Sequence, residues 1–436
     1  MSPAAGVHVP LLPKSEASVK PASVSGAVFN VATSIIGAGI MSIPATMKVL
    51  GVIPAFFMIL VIGLLAEVSV DFLMRFTHSG ETTTYSGVMR EAFGPAGALA
   101  AQICVLITNL GCLIMYLIII GDVLSGNSPG GEVHLGILQQ WLGIYWWTSR
   151  EFALLVIVIL TLPLVLYRRV ESLRFSSAIS TLLAVAFVGI CSGMAITALI
   201  AGKTHPPRFL PQLDRHTSFF DLFTAVPVIV TAFTFHFNVH PIGFELAKPS
   251  DMAVAVRVAL VLCGAIYFSI GLFGYLLFGD STQSDILINF DQNTSGSSTG
   301  SLLNTLVRLS YASHIILVFP LLNFSLRANI DELLFPDKPA LATDNKRFVI
   351  LTLVLIFFSY LMAIALPDIW YFFQFLGSTS AVCLAFIFPG SLALRDAHGI
   401  STRRDKITAL IMIILAVVTS AIAIATNIYN IFGSKS

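Results

Sequence analysis

Charged side chains are scarce in this sequence. Only 11% of its 436 residues are Asp, Glu, Lys or Arg, whereas 56% are hydrophobic, and the mean hydropathy is +0.89. Soluble proteins carry roughly 25% charged residues, because a folded domain needs a polar surface. The composition therefore predicts an integral membrane protein and excludes a soluble enzyme or a disordered scaffold. A net charge of +1 also offers no basic surface for nucleic acid.

Loop cysteines, metal-ligand clusters and a leader sequence are lacking as well. The five cysteines all fall inside apolar runs (Cys104, Cys112, Cys191, Cys263 and Cys383), so no disulfide framework is expected. No CxxC or Cys/His cluster suggests a metal, and no cofactor is expected. Residues 1–22 lack the apolar core of a cleavable signal peptide, so the first membrane span is expected to act as its own targeting signal.

The sequence contains instead a series of long apolar runs. A membrane-spanning helix needs about 20 apolar residues. Eleven segments qualify, at residues 25–47, 52–76, 97–124, 152–167, 173–201, 222–244, 255–278, 302–333, 348–366, 370–393 and 407–432. Their polarity does not alternate as in barrel strands, so all are predicted to be helices. The predicted fold class is an all-α integral membrane protein, with a cytosolic tail at residues 1–22 and a membrane domain at residues 23–436.

The basic residues predict how the chain crosses the membrane. With a cytosolic N-terminus, most of the 24 Lys and Arg residues fall on the cytosolic side, as the positive-inside rule requires. Eleven spans then place the C-terminus on the lumenal or extracellular side. Asn293 begins an Asn-Thr-Ser sequon in a Ser/Gly-rich loop on that side, which makes it a candidate glycosylation site.

Two spans carry residues that interrupt a helix. In the first span, Gly37 and Gly39 weaken the helix and Pro44 lacks a backbone donor. The alternative for this segment is a small-residue face that packs against another helix. In the sixth span, Pro241 disfavours helical geometry for His240, so the regular helix is expected to end at His240.

The interrupted spans lead two blocks of five. Five spans per block make the second block start from the opposite side of the membrane, which predicts an inverted repeat. Repeat one is predicted at residues 23–201, repeat two at residues 222–393, and one extra helix at residues 407–432.

Interrupted helices expose backbone groups in the middle of the membrane. The positive end of the half-helix that begins near Gly39 can bind a carboxylate. Freed carbonyls near Ile35, Phe233 and Thr234 can accept hydrogen bonds from an ammonium group. The breaks alone therefore suggest an α-amino acid as the substrate.

Three motifs resemble those of the amino acid/auxin permease family. Residues Phe29 to Pro44 (FNVATSIIGAGIMSIP) resemble its first-helix signature, especially in the branch of vacuolar and sodium-coupled neutral amino acid transporters. YLIIIGD from Tyr116 and FTFHFNVHPIGFE from Phe233 are similar to its third-helix and sixth-helix patterns. The resemblance covers about residues 23–432. It implies a leucine-transporter-like fold with a 5+5 inverted repeat, one further helix and alternating access.

The resemblance also implies a substrate site. The first-helix residues implied to bind the substrate carboxylate and amine are Thr33, Ile36, Gly37, Ala38, Gly39 and Ile40. Tyr116 would close against the carboxylate, although a packing role is the alternative for it. Phe233, Thr234 and His236 would line the amine and side-chain side. The sequence shows no obvious buried arginine that would bind an acidic substrate and no carboxylate in the first break that would bind a basic one. Small or medium neutral amino acids are therefore favoured, with acidic ones possible.

Either sodium or a proton could drive transport. Sodium needs several oxygen ligands, and sodium-coupled relatives carry a hydroxyl residue shortly before the eighth-helix proline. Residues 316–319, which precede Pro320, have no side-chain oxygen. Coupling to H⁺ is therefore favoured over coupling to Na⁺.

Buried ionisable groups are the candidate proton carriers, because they are costly to place in lipid. The candidates are His236, His314 and Glu67, and histidine titrates near neutral pH. The alternative is a neutral interhelical hydrogen bond for His314 and a solvent-facing position for Glu67. Asp71 is instead predicted to form an ion pair with Arg75, four residues on.

The sequence thus predicts secondary active transport of amino acids. The protein is not expected to be an enzyme, because no convergent nucleophile, acid/base and metal set is visible in the sequence. Proton-linked export from a vacuolar or lysosome-like lumen to the cytosol is favoured, with the plasma membrane as the alternative location. The alternative functions are a sodium-coupled importer and an amino-acid-sensing transceptor with little flux. The expected partners are an amino acid, H⁺ and membrane lipid but no nucleic acid, and the protein is expected to be a monomer.

Overall fold

Helices make up nearly all of the described structure. The computed structural model describes residues 22–126, 134–168, 173–213, 218–246, 248–290, 298–339, 341–366 and 369–433. The helices in chain order are α1 (Val24–Ile35), α2 (Gly39–Leu50), α3 (Val52–Ser79), α4 (Tyr85–Ser125), α5 (Ile137–Leu142), α6 (Arg150–Val165), α7 (Arg174–Ile200), α8 (Ala225–Ala232), α9 (His236–Gly243), α10 (Pro249–Phe278), α11 (Ile286–Asn289), α12 (Ser298–Leu334), α13 (Asn345–Ala365), α14 (Ile369–Ser378), α15 (Ser380–Val382), α16 (Phe388–Arg395) and α17 (Arg403–Gly433). A π-helical turn, Cys383–Ile387, joins α15 to α16.

The helices confirm the predicted membrane fold. In the described ranges, nine helices are long and apolar enough to cross a bilayer, and the bent pair α1–α2 makes a tenth. Helix α6 has 16 residues and occupies the fourth predicted span, although about 20 residues are usual. All eleven predicted segments are therefore helical. Asn293 and residues 1–21 of the predicted tail lie outside the described residues.

Two spans are discontinuous, and they occupy the centre of the bundle. Helices α1 and α2 are the halves of the first span and meet at an angle of 56°. Helices α8 and α9 are the halves of the sixth span, separated by residues 233–235. All eight residues of α8 are buried. The break expected at Gly37 and Gly39 is thus confirmed, and the two breaks lie side by side because α2 packs against α8.

The prediction that the regular helix ends at His240 is wrong. His240 and Pro241 lie inside α9, and the break precedes them at residues 233–235. A proline deprives only the carbonyl four residues earlier of its helical partner. In α9 that carbonyl belongs to Phe237, the second residue of the helix, so most of the short helix is unaffected. The side chain of His240 holds α9 against α3, since its Nε2 lies 2.9 Å from Thr77 Oγ1.

The two ends of the bundle can be named from the chain termini. Helix α1 begins at one end, which we call the N-terminal face. Because eleven spans alternate in direction, α17 ends at the other, which we call the C-terminal face.

A buried arginine holds α6, α12 and α13 together near the N-terminal face. Arg327 is 1% exposed, and its guanidinium donates to Val165 O at 3.0 Å and to Thr352 Oγ1 at 2.7 Å. Its Cζ lies 3.9 Å from the ring centroid of Phe348, in cation–π contact. The carbonyl of Val165, at the end of α6, depends on this donor.

We expect Arg327→Ala to destabilise the fold by roughly 2–4 kcal/mol, because the change leaves a cavity and a buried carbonyl without its donor. The measurement is the melting temperature of the purified protein in detergent, which should fall by several degrees. Arg257→Ala is the matched control, since the side chain of Arg257 is 70% exposed and its ion pair with Glu67 is worth less than about 1 kcal/mol. Equal melting temperatures for the two variants would contradict this structural role.

Candidate substrate-binding site

The first break allows two neighbouring helices to approach the backbone closely. A Cβ atom on Gly39 would lie 2.6 Å from Ala232 Cβ on α8. A Cβ atom on Gly37 would overlap the hydroxyl of Tyr116 on α4. Only glycine permits approaches of this kind. The two glycines therefore bring α4 and α8 to the point where the first span is interrupted.

Three buried side chains bind the carbonyls that the first break frees. They come from α10 and α12, and all are 0% exposed. A carbonyl without a partner is costly in lipid, so these donors stabilise the interrupted backbone. The pairs are Tyr267 with Ile35 (2.6 Å), His314 with Ile36 (2.9 Å) and Tyr311 with Gly37.

Tyr267 connects the two breaks. Its hydroxyl lies 2.6 Å from Ile35 O, at the end of α1, and 2.9 Å from Ala232 O, at the end of α8. A hydroxyl has one proton to donate, so the two carbonyls share it. The ring also packs edge-on against Phe233, with 5.1 Å between centroids. The interrupted spans thus meet at one side chain.

The first break also leaves amide groups for an anion. Within the described residues, the amides of Gly37 and Gly39 make no backbone hydrogen bond. The amide between them, that of Ala38, lies beside the hydroxyl of Tyr116. Helix α2 begins at Gly39 and directs its positive end to this point. A substrate carboxylate placed here would accept hydrogen bonds from these amides.

The structure brings five predicted site residues together at the amides: Ile36, Gly37, Ala38, Gly39 and Tyr116. Ile40 is fully buried in the first turn of α2. Thr33 turns towards α7 instead, where its hydroxyl lies 3.0 Å from Thr181 Oγ1 and 3.2 Å from Ser177 O.

The predicted residues of the sixth span point in different directions. Phe233 lies beside Tyr267, between the breaks. The hydroxyl of Thr234 donates to Val230 O at 2.7 Å, within its own span. His236 reaches α3, where its Nε2 lies 2.6 Å from Ser69 Oγ. Of the three, Phe233 is the one placed beside the first break.

Of the candidate proton carriers, His314 is the one bound to the first break. Its Nε2 contacts Ile36 O, and its Nδ1 lies 2.8 Å from Ser180 O and 2.9 Å from Ser180 Oγ on α7. Glu67 is bound elsewhere, in an ion pair of 2.7 Å with Arg257.

The ion pair predicted between Asp71 and Arg75 is confirmed, at 2.9 Å.

The site is approached by a cavity from the N-terminal face. We call this cavity of about 320 Å³ the vestibule. It lies between α4, α9 and α12, and its lining includes Tyr85, Val105, Phe237, Ser325 and Glu332.

A short polar seal lies between the vestibule and the breaks. Asn238 Nδ2 donates to Ser34 Oγ at 3.0 Å, and Ser325 Oγ donates to Asn238 Oδ1. The seal joins α1, α9 and α12. A few hydrogen bonds therefore separate the site from the vestibule.

The C-terminal face is closed by more extensive contacts. An ion pair joins Asp122 of α4 to Arg150 of α6. The guanidinium of Arg308 donates to Val123 O at 3.1 Å and to Leu135 O at 3.0 Å. In the described conformation, the vestibule therefore leads towards the site from the N-terminal face, and the contacts at the C-terminal face block access from that side.

Tyr267, Tyr311 and Asn238 were not predicted from the sequence. Tyrosine within an apolar run is an ordinary packing residue. The partners of Tyr267 and Tyr311 in the first span lie 232 and 274 residues away along the chain. The local signal is one phenolic hydroxyl in each of two largely apolar helices.

Comparisons with known proteins agree with this architecture. The family model described as "Transmembrane amino acid transporter protein" matches residues 20–432. The Arabidopsis thaliana proteins named amino acid transporter AVT6C and AVT6A are 60% and 49% identical to this chain. The alignments cover 99% of both this chain and AVT6C, and 94% of this chain with 89% of AVT6A.

Two solved structures share the fold at low sequence identity. MhsT in complex with L-phenylalanine superposes with a TM-score of 0.62 at 14% identity, covering 93% of this chain and 98% of that chain. A manganese transporter from Eremococcus coleocola gives a TM-score of 0.61 at 14% identity, covering 95% and 88%. These likenesses show the predicted leucine-transporter-like fold.

We expect Gly39→Ala to abolish amino acid binding, because the new Cβ would lie 2.6 Å from Ala232 Cβ and force α2 away from α8. Binding is measured as the rise in melting temperature that a saturating neutral amino acid causes. The matched control is Gly264→Ala on α10, where a Cβ meets nothing within 4 Å, and it should keep the full rise. A normal rise in melting temperature in the Gly39 variant would show that the first break is not part of the binding site.

Proposed function

This chain belongs to the transmembrane amino acid transporter family, and from that premise we propose that it carries small and medium neutral amino acids by alternating access. The observation that carries the proposal is the first break. Amides at the positive end of α2 lie beside carbonyls at the negative end of α1. Each carbonyl oxygen has a second lone pair besides the one that its side-chain donor uses, so opposite poles are available for the two charges of a zwitterion.

The surroundings of the break favour a neutral substrate side chain. The side chains described next to it are three tyrosines, an alanine, a phenylalanine and one histidine. Asp122 lies further along α4 and is already paired with Arg150. A basic substrate side chain would therefore be buried without a counter-charge, which is costly, and the one described group beside the break that could face an acidic side chain is His314.

We propose H⁺ as the coupling ion and His314 as its carrier. The Nδ1 atom of His314 faces both the carbonyl and the hydroxyl of Ser180. A protonated Nδ1 can donate to the carbonyl, and an unprotonated Nδ1 can accept from the hydroxyl. The ring can therefore gain or lose a proton while keeping a partner at this nitrogen.

The position of His314 links the proton to the substrate. Its Nε2 bonds Ile36 O at the end of α1, where the negative pole of the helix favours a cation. A protonated ring would hold α1 more firmly in the position that forms the site. Proton and amino acid then favour the same conformation, which is positive coupling between the two ligands.

Sodium is the weaker candidate for the coupling ion, because the first break and α12 offer it few oxygen ligands. Residues 316–319 of α12 supply no side-chain oxygen, and the nearby carbonyl of Ile36 already has His314 as its partner. A sodium ion needs several oxygen ligands in one place.

We propose transport from an acidic vacuolar or lysosome-like lumen to the cytosol. With the N-terminus cytosolic, as the basic residues predict, the vestibule belongs to the cytosolic side. The described conformation is then one that releases substrate to the cytosol. Protons moving down their gradient from the acidic lumen to the cytosol would drive the cycle in this direction.

The test is uptake of a panel of labelled amino acids into proteoliposomes, with pH and sodium gradients imposed separately. We expect concentrative uptake of neutral amino acids when a pH gradient is present, and no acceleration by sodium. Flux that follows sodium and ignores pH would overturn the proton assignment. Binding of amino acids without flux under any gradient would point to a receptor-like protein.

We expect His314→Gln to uncouple transport, because glutamine retains a hydrogen-bond donor but does not titrate. Exchange of labelled for unlabelled amino acid should persist, while uptake driven by the pH gradient should fall at least about tenfold, as for loss of a coupling of about 1.4 kcal/mol. His398→Gln is the control, since His398 contacts Glu91 at 3.4 Å near the N-terminal face. Unchanged proton-driven uptake in the His314 variant would contradict its role.

A further inference from the structure

A short segment closes the C-terminal face above the first break. We call residues 282–290, which include α11, the cap. Two side chains of α2 hold it in place: Ser42 Oγ donates to Ser284 O at 2.7 Å, and Lys48 Nζ donates to Thr282 O at 3.2 Å. Because α2 also carries Gly39, the cap and the site share one structural element.

A carboxyl group lies buried within the cap. Asp285 is 0% exposed, and its Oδ1 accepts from the amide of Leu287 at 2.9 Å. Its Oδ2 is buried and has no hydrogen-bond partner among the described residues. A buried carboxylate oxygen without a donor is unfavourable, whereas a protonated oxygen carries less charge to desolvate.

The charged and titratable groups that face Asp285 come from α2, α4 and α12, whereas α10 packs against the cap through the apolar contacts of Gly274 with Ile286 and Phe278 with Phe290. Asp122 of α4 lies close enough to repel its charge and is itself paired with Arg150 of α6. Arg308 of α12 attracts its charge, but this guanidinium also donates to two backbone carbonyls. Tyr311 of α12 also interacts with Asp285 electrostatically. Helix α2 contributes Lys48, whose ammonium bonds the cap backbone.

We propose that Asp285 is a second proton-binding residue of the transport cycle, which takes up a proton from the solution at the C-terminal face as the cap closes. The inference rests on the proposed function and adds a group to it. The carboxylate of the open, hydrated cap accepts a proton from hydronium, forms one O–H bond and releases water. The closed cap then holds a neutral carboxyl group.

The electrostatics give the direction of the pH effect. Burial, and next the negative charge of Asp122, raise the pKa of Asp285 from 3.8 to about 7. The amide of Leu287 and the charge of Arg308 oppose this rise. Since the closed cap binds the proton more tightly than an open one with an ordinary carboxyl pKa, acid stabilises closure. This contribution is complete below about pH 4 and is lost as pH rises through about 7.

The consequence is a cap that closes most readily on the acidic side of a membrane. If the C-terminal face meets an acidic lumen, closure follows proton uptake there. The role differs from that of His314, which lies below the cap at the freed carbonyl of Ile36.

The test is hydrogen–deuterium exchange of the cap in the full-length, substrate-free protein in nanodiscs, corrected for the intrinsic pH dependence of exchange. In the wild type, protection of residues 282–290 should fall about tenfold between about pH 6 and pH 8, which is the change in closed population that the shifted carboxyl predicts. In Asp285→Asn, which keeps the oxygen that caps α11 but does not titrate, protection should be independent of pH. Asp285→Glu should restore a pH dependence.

Asp344→Asn is the matched control, because Asp344 also accepts from a helix-capping amide, that of Arg347 at 3.1 Å, at the N-terminal face. It should keep the wild-type pH response of the cap. Where Asp285→Asn lowers the yield of folded protein, Asp285→Ser supplies a second non-titrating variant with a capping oxygen. A cap whose protection changes equally with pH in the wild type and the non-titrating variants overturns the proposal.

The two proposals fail in different measurements. A wild type whose flux ignores the pH gradient overturns the proton coupling assigned to His314, while the cap titration can still be read without substrate. A wild type with proton-driven flux and a pH-independent cap overturns only the role of Asp285.

Discussion

The structure depends on finding partners for backbone groups that two interrupted helices expose within the membrane. A regular helix would pair these groups internally, and lipid offers no replacement. The carbonyls of residues 35–37 are paired by two tyrosines and a histidine, while the amides of Gly37 and Gly39 make no backbone hydrogen bond among the described residues. The proposed substrate site therefore combines one set of backbone groups that the protein pairs with an adjacent set that it leaves without a backbone partner.

The sequence predicts those features that have a local cause. Gly37 and Gly39 mark the first break, because a close backbone approach there excludes any larger residue. The sequence places the second break too late, since Pro241 is the conspicuous residue, whereas the helix is interrupted at residues 233–235. Its cause is tertiary: the carbonyl of Ala232 bonds Tyr267. Such a contact leaves no pattern near the break, and neither tyrosine differs in sequence from a packing residue.

The two faces of the bundle are closed by unequal means. At the N-terminal face, three short side chains separate the vestibule from the site. At the C-terminal face, a partly buried ion pair, a buried arginine and the cap lie above it. The described conformation is therefore held mainly by charged and polar contacts at the C-terminal face.

The shared hydroxyl of Tyr267 has a mechanical consequence. One proton serves the last carbonyls of both α1 and α8, so separating these helix ends would strip one carbonyl of its only described side-chain donor. The two interrupted spans are thereby coupled, because moving one helix end away from the other costs a buried hydrogen bond. A displacement of either helix end therefore affects the other. The phenol of Tyr267 is the contact through which the two interrupted spans, one from each repeat, are linked.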